Sequence, residues 1–279
     1  MHRQRKLPKK VKMKLKTIIM LTLLSFLSAC ATLVKIPVRQ VSRAQAEKSW
    51  QAVLTQFVDE DGWVDFQGIK NHPDDLNNFV SFIAQNSPKS APNLFTSSGD
   101  QLAFYLNSYN ALSIYNILDS DIPETHSGLK KVKFFILKKM PIGGEVMSLK
   151  TYEDDTIRKL GEPRVHFALN CMAASCPKLP RVAFSGARIE EQLDAGAKKF
   201  FSEKRNLTLD QEKKIAYTTE ILSFFPNDFL VKASTLIDYI NRYAVEKIPA
   251  DYKLKYFDYD WTVINQAKKA HYFKNKSEK

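Results

Sequence analysis

The sequence predicts an α+β fold, a single globular domain in which a buried central helix packs on a small, mainly antiparallel sheet. Hydrophobic residues make up 44% and charged residues 26% of the 279 positions, which is typical of a globular protein with a full core. Apolar residues recur at helical spacing in several segments and alternate in others. These segments do not follow the regular strand–helix order of a parallel sheet, which favours α+β.

The first half of the chain is predicted to be largely helical. Apolar residues recur with a helical period after Ser42, and the Pro73-Asp74 pair predicts the start of another helix. Residues 62–66 predict a short strand between them. The segment 101–118 is apolar on nearly every face, so we expect a central helix that the rest of the domain encloses.

The second half is predicted to mix short strands with helices. Residues 132–137 and 164–169 predict two strands, and Gly143-Gly144 predicts a turn. Ser148 is the expected cap of a helix that ends at Gly161. The remaining expectations are a helix over 189–200, a hairpin that pairs 207–209 with 215–218, and a last helix after Ser234.

The N terminus has the pattern of an export signal. Eight basic and no acidic side chains precede Ala29, and an apolar run covers residues 17–27, the usual order in a signal peptide. Because the run is shorter than the roughly 20 residues that span a bilayer, we expect residues 1–29 to be cleaved. Translation can start at Met1 or at Met13.

Residues 27–30 predict lipidation at Cys30. Leu-Ser-Ala-Cys resembles the lipobox of bacterial lipoproteins at all four positions, which implies acyl chains on Cys30 that hold the protein at a membrane. Ala31 after the cysteine resembles lipoproteins sent to the outer membrane. We therefore expect a lipid-anchored envelope protein, at the outer membrane and facing the periplasm. An ordinary secretory signal with an incidental cysteine is the alternative.

The formal net charge of +12 belongs mostly to the leader, since removing residues 1–29 leaves +4. The remainder lacks the clustered basic and aromatic residues of nucleic-acid-binding surfaces, so we expect no nucleic-acid partner. We interpret residues 30–41 as a lipidated tether, 42–265 as the domain, and 266–279 as a basic tail that is solvated or faces the membrane.

A polar strand face followed by a small-residue loop is the first candidate site. In a strand over 164–169, Arg164, His166 and Asn170 would share one face. The strand would run into the loop 171–177, where small residues such as Ser175 allow close approach to a ligand.

Cys171 and Cys176 remain after Cys30, in a chain expected to meet an oxidising compartment. A disulfide between them requires Cα atoms within about 4.4 to 6.8 Å. A nucleophilic cysteine would instead need His166 as a base and a third group to orient the imidazole. A zinc site has only His166 nearby and no apparent fourth ligand, so we expect neither a metal nor a cofactor.

Polar residues elsewhere are further candidates. Asn107 and Asn110 share a face of the central helix, and an unpartnered buried amide costs about 1 to 3 kcal/mol. They either lock the helix to neighbouring backbone or project into a cavity beside His166. Asp260 is a candidate to orient His166 or to pair with Arg164, with a surface carboxylate as the alternative. Glu220 and Asp228, which flank Phe224-Phe225, are likewise expected to be surface carboxylates.

Several motifs together resemble the family called domain of unknown function 547, from about Trp50 to Trp261. This chain has Tyr105 where the family usually has Trp, and Phe224-Phe225 where the family has a Trp-Tyr pair, so bulk is kept and polar groups are lost. The resemblance implies a shared fold and polar cluster but names no reaction or substrate. The motifs are residues 102–112, residues 164–171 with Ser175-Cys176-Pro177, and Tyr259-Asp260-Trp261.

The expected layout is similar to that of transglutaminase and papain-like thiol hydrolases, with Asn107 where those enzymes place their cysteine. Such a likeness is not evidence of activity, and two functions stay open. One is a non-catalytic envelope protein that binds a partner or an envelope polymer through a cleft of Asn107, Asn110, Arg164 and His166. The other is a cysteine-dependent hydrolase or acyl-transfer enzyme with Cys171 or Cys176 as nucleophile, His166 as base and Asp260 as orienter.

Overall fold

A computed structural model describes residues 31–277, so the leader and Cys30 lie outside the described part. The α-helices in it are Arg43–Phe57 (α1), Phe66–Asn71 (α2), Asp74–Gln85 (α3), Ser98–Asp119 (α4), Leu129–Val132 (α5), Leu149–Tyr152 (α6), Ile189–Ser202 (α7), Ile221–Phe224 (α8), Pro226–Leu230 (α9), Leu236–Tyr243 (α10) and Lys269–Ser277 (α11). The strands are Thr32–Leu33 (β1), Lys138–Ile142 (β2), Glu145–Ser148 (β3), Leu207–Asp210 (β4), Ile215–Thr218 (β5) and Lys253–Tyr256 (β6). Short 3-10 and π turns connect several of them.

The strands form two three-stranded sheets, ordered β1-β2-β3 and β4-β5-β6. In each sheet a hairpin is antiparallel and the third strand is parallel to its neighbour. The α+β class is therefore confirmed, with sheets that are only partly antiparallel. The predicted hairpin of 207–209 with 215–218 is present, and the predicted turn at Gly143-Gly144 joins β2 to β3. Gly143 has a φ of +58°, and a Cβ there would overlap the Ser87 side chain, so this turn requires glycine.

Helix α4 is the predicted central helix, and 15 of its 22 residues are buried. It begins at the cap Ser97, whose side chain accepts a hydrogen bond from the Asp100 N–H. Around it, α1 packs on α3 through stacked Trp50 and Phe79 rings 5.3 Å apart. A second core, centred on Phe167 and Phe229, joins α7, α9 and α10 to the second sheet.

The other predicted helix boundaries agree with the structure. Ser42 caps α1 in a reciprocal capping box, and α3 begins directly after Pro73. Ser148 caps α6, and the helical segment that follows ends at Gly161 in the left-handed conformation. Helix α10 follows Ser234, with Thr235 as its cap.

Three predicted strands are wrong. Residues 164–167 lie in the 3-10 turn Pro163–Phe167, which Pro163 and the Glu162 side chain initiate, and residues 168–169 follow it outside any strand. Residues 132–137 continue α5 as the π turn Lys133–Leu137, where Asn116 of α4 donates to the Phe134 carbonyl at 2.9 Å. Residues 62–66 form only isolated bridges at Val64, because Asp65 caps α2 and turns the chain into a helix.

Both segments that flank the predicted domain pack against it. Within the predicted tether, β1 pairs with β2, and the buried Val34 donates its N–H to the Lys139 carbonyl at 2.8 Å. The predicted basic tail forms α11, in which the Tyr272 ring lies 5.1 Å from Trp63. The domain therefore includes residues on both sides of 42–265.

Candidate functional site

The strongest candidate site is a cavity of about 90 Å³, here called the thiol cavity, because polar side chains from distant parts of the chain converge on it. Wider surface grooves of about 430 to 880 Å³ also occur; one of about 480 Å³ is lined by Cys176 but not by His166. The residues that line the thiol cavity are Tyr109, Phe135, Glu153, His166, Leu169, Cys171, Cys176, Pro177, Ile221, Phe224, Phe225, Tyr259 and Trp261.

His166 is fixed by a carboxylate and an aromatic ring. Its Nε2 lies 2.8 Å from Oδ2 of Asp228, and its ring stacks on Phe225 at 4.4 Å between centroids. Arg158 donates to both oxygens of Asp228, at 2.6 and 2.9 Å. When the neutral imidazole donates its Nε2–H to the carboxylate, its lone pair resides on Nδ1. The arrangement therefore orients His166 as a base.

Asp228 is held in its ionised form. Partial burial acts to raise the pKa of this carboxyl, but hydrogen bonds from His166 and Arg158 outweigh it and hold the pKa well below its ordinary value. Asp228 thus supplies a permanent negative charge beside His166, which is the role of the acidic member in a catalytic triad.

Cys171 and Cys176 are both free and buried, with their sulfurs 2.8 Å apart. Cys176 Sγ also receives hydrogen bonds from the Cys171 N–H and the Tyr259 hydroxyl, each at 3.2 Å. Burial opposes ionisation, but these donors lower the pKa of Cys176. The pKa of Cys171 is raised well above its usual value, first by its hydrogen bond with Cys176 and then by burial. Cys176 is therefore the preferred thiolate and Cys171 its donor.

Glu153 adds a buried acid to the cavity. Its side chain accepts a hydrogen bond from the Tyr109 hydroxyl at 3.1 Å. Burial raises the pKa of Glu153, and the nearby His166 and the Tyr109 hydrogen bond reduce this effect only in part. A carboxyl in such a setting can hold a proton nearer to neutral pH than usual, as a general acid requires.

Two π turns place groups at the thiol cavity. Glu153 begins the π turn Glu153–Ile157, and Phe135 lies within Lys133–Leu137. π turns are rare and occur often at functional sites. The segment predicted as the strand 132–137 thus contributes an aromatic wall.

The loop that carries the cysteines is fixed by buried polar groups. Asn110 donates to the Ala168 carbonyl at 3.0 Å and accepts from the Asn170 N–H at 2.7 Å. Asn170 in turn accepts from the Met172 N–H and donates to the Pro177 carbonyl. These bonds support a locking role for Asn110 and give Asn170 the same role, so both residues position the cysteines.

His126 also holds this loop, and nothing in the sequence singled it out. Its Nε2 lies 3.0 Å from the Cys171 carbonyl oxygen, and its ring packs 4.2 Å from Phe134. Burial lowers the pKa of His126 to about 4, although the hydrogen bond to the carbonyl acts the other way. The ring is therefore neutral at physiological pH and donates to the backbone.

The other predicted site residues lie away from the thiol cavity. Asn107 accepts from Trp50 Nε1 and the Phe184 N–H, both at 3.0 Å, and donates to the Phe184 carbonyl at 2.8 Å. Arg164 does not share a face with His166, because the 3-10 turn replaces the strand. It forms ion pairs with three carboxylates instead, from Glu162, Glu190 and Asp194.

Asp260 does not orient His166, as the sequence had suggested. Its carboxylate accepts hydrogen bonds from the Tyr272 hydroxyl at 2.8 Å and the Thr262 N–H at 3.0 Å. Its own N–H donates to the Ser175 hydroxyl at 2.9 Å. Asp260 and Ser175 therefore join the cysteine loop to the C-terminal segment, and Asp228 takes the position expected of Asp260.

Comparisons with known proteins give one partial match. Residues 94–201 match the family model described as "Protein of unknown function, DUF547". The matched region contains Glu153, His166 and both cysteines, whereas Asp228 lies outside it. No curated protein and no solved structure matches the chain.

The described residues also limit other site types. Between residues 31 and 277, no helix is long and apolar enough to cross a membrane. In the same part of the chain, no group of three or more His, Cys, Asp or Glu side chains is placed to hold a metal ion.

Proposed function

We propose that this chain is a lipid-anchored protein of the bacterial envelope whose domain catalyses acyl transfer or hydrolysis through a cysteine thiolate. The observation that supports the chemistry is that Cys176 and His166 line the same cavity, while Asp228 lies 2.8 Å from His166 Nε2. The anchor rests on the lipobox at residues 27–30.

The proposed reaction uses Cys176 as nucleophile. Its thiolate attacks the carbonyl carbon of an acyl substrate, and the bond to the leaving group breaks as protonated His166 gives that group a proton. A water or amine then attacks the thioester while His166 takes its proton, and the Cys176 thiolate is released. Asp228 stabilises the imidazolium at each stage, and Arg158 holds Asp228 in place.

The alternative of a non-catalytic polar cleft has less support. Its four expected residues do not meet, since Asn107 and Asn110 bind backbone and Arg164 binds three carboxylates. Only His166 of this set lines the thiol cavity. A binding function would therefore need a different surface from the one expected.

The test is acetylation of the purified, reduced chain by p-nitrophenyl acetate, followed by intact-mass analysis. We expect one acetyl group on Cys176, no acetylation in Cys176→Ser, and at least tenfold slower acetylation in His166→Ala and in Asp228→Asn. His271→Ala is the matched control, since His271 is exposed on α11, and it should behave as the unmodified chain.

Two results would overturn the proposal. One is acetylation of Cys176→Ser at the original rate. The other is a disulfide between Cys171 and Cys176 in protein extracted from the envelope without reductant, if that bond persists under the conditions in which the protein acts.

A further inference from the structure

Residues 129–137 form an exposed segment with apolar and basic side chains, here called the docking segment. Leu129, Val132 and Ile136 are 86%, 37% and 50% exposed. Their spacing of three and four residues places them on one helical face. Lys130, Lys131 and Lys133 are interspersed and exposed, and the segment contains no acidic residue.

This pattern is typical of helices that lie in a membrane interface, with an apolar face in the lipid and lysines at anionic headgroups. Single exposed apolar residues are common on soluble proteins. Three on one face, with lysines next to Leu129 and Val132, are not explained by folding, because none of these apolar side chains is buried within residues 31–277.

The start of the described chain lies beside this segment. The docking segment leads directly into β2, and β1 runs parallel to β2 with Thr32 opposite Lys138. Both strands therefore begin at the same edge of the sheet. Thr32 is the second residue after Cys30 in the sequence. Acyl chains on Cys30 would thus enter a bilayer at this edge.

We propose that the docking segment binds the surface of an anionic bilayer next to the acyl anchor and so fixes the orientation of the domain. The inference rests on the proposed lipidation of Cys30. It does not depend on the thiol chemistry. Each lysine near an anionic surface strengthens such binding several-fold.

The orientation has a consequence for the thiol cavity. Phe135 of the docking segment lines that cavity, and Lys131 Nζ lies 3.5 Å from the centroid of the Trp261 ring on the same wall. Docking would therefore bring the aromatic wall of the cavity to the membrane surface.

The test uses the full lipidated chain, reconstituted in vesicles of phosphatidylethanolamine and phosphatidylglycerol. A polarity-sensitive dye is attached at Ile136→Cys or, as the matched control, at Val245→Cys, a position that is 81% exposed in the native chain. Lipid-borne quenchers should quench the dye at 136 at least threefold more than at 245. Lys130→Gln with Lys133→Gln, or neutral phosphatidylcholine vesicles, should reduce that difference by at least half.

Equal quenching at the two positions in protein that floats with the vesicles would overturn the docking proposal. Failure of the protein to float would instead refute the acyl anchor. Neither result bears on acetylation of Cys176, so failure of the thiol chemistry remains separately visible.

Discussion

Acidification should weaken the fold through His126. This buried ring donates to the carbonyl of Cys171 and has a pKa of about 4, against an ordinary value of 6.5. Because the folded pKa lies below the unfolded one, the unfolded chain binds a proton first as the pH falls. The contribution of neutral His126 is therefore complete above about pH 6.5 and is lost progressively down to pH 4.

The size of the effect follows from the shift. The folded and unfolded pKa values of His126 differ by about 2.5, and each pKa unit corresponds to about 1.36 kcal/mol. Neutral His126 therefore contributes about 3 kcal/mol to the free energy of unfolding, of which about 2.5 kcal/mol is lost by pH 4.5. This is a large part of the 5 to 15 kcal/mol that typically stabilises a domain. The carbonyl that His126 holds belongs to the cysteine loop, so reactivity of Cys176 should change over the same pH range.

Urea unfolding at pH 7.0 and pH 4.5 measures this contribution. The loss of unfolding free energy between the two pH values should be about 2.5 kcal/mol smaller in His126→Gln than in the unmodified chain, because other groups contribute equally to both. His72→Gln is the control, since His72 is exposed, and it should keep the full loss. An unchanged loss in His126→Gln would refute the reasoning.

Two stability predictions use matched pairs of substitutions. Asn107→Ala leaves Trp50 Nε1 and the Phe184 backbone without these partners, so urea unfolding should show that the free energy of unfolding falls by about 3 kcal/mol. The control Asn71→Ala changes an exposed residue and should lower it by under about 0.5 kcal/mol. Equal losses in the two variants would contradict the locking role of Asn107. Gly143→Ala and Gly144→Ala both force alanine to a positive φ, but only the first would overlap side chains, those of Ser87 and Ser90. Gly143→Ala should therefore lower the melting temperature more than Gly144→Ala does, by the several degrees expected for a loss of about 1 kcal/mol or more. A larger decrease in Gly144→Ala would contradict the packing of this turn.

The helices could be predicted because their signals are local. Ser42 and Ser148 cap helices through bonds that span three residues, and the buried stripe of α3 recurs within its own sequence. The apolar character of residues 101–118 likewise predicted that α4 is enclosed, since each turn of that helix contacts other elements.

The strand errors arose where tertiary partners decide the conformation. Alternating residues at 164–169 suggested two faces, yet residues 165–170 are all buried, and no strand between residues 31 and 277 pairs with 164–169. Residues 132–137 have strand composition, but Asn116 from α4 and the turn bond from Lys138 to Lys133 hold them in a π turn. Neither of these two hydrogen bonds can be predicted from the composition of residues 132–137.

Part of the candidate site could be predicted from the sequence. His166 and the two cysteines stood out because they lie in one short segment. Asp228 was weighed only as a surface carboxylate, since 62 residues separate it from His166. Glu153 stands in an acidic run that resembles a solvated turn, and only the fold shows that it is buried.

The way in which the two ends of the described chain are built into the domain constrains when it can fold. Residue 32 needs residue 138 as a partner, and Val64 needs Ile264 and Gln266, while Lys269 closes an ion pair with Asp59. Synthesis proceeds from the N terminus, so the first contact can form once residue 138 is made, whereas those of Val64 and Asp59 wait for residues 264–269. The N-terminal helices of a nascent chain with this topology therefore lack part of their packing until residues 264–269 are available, and the fold is completed late in synthesis.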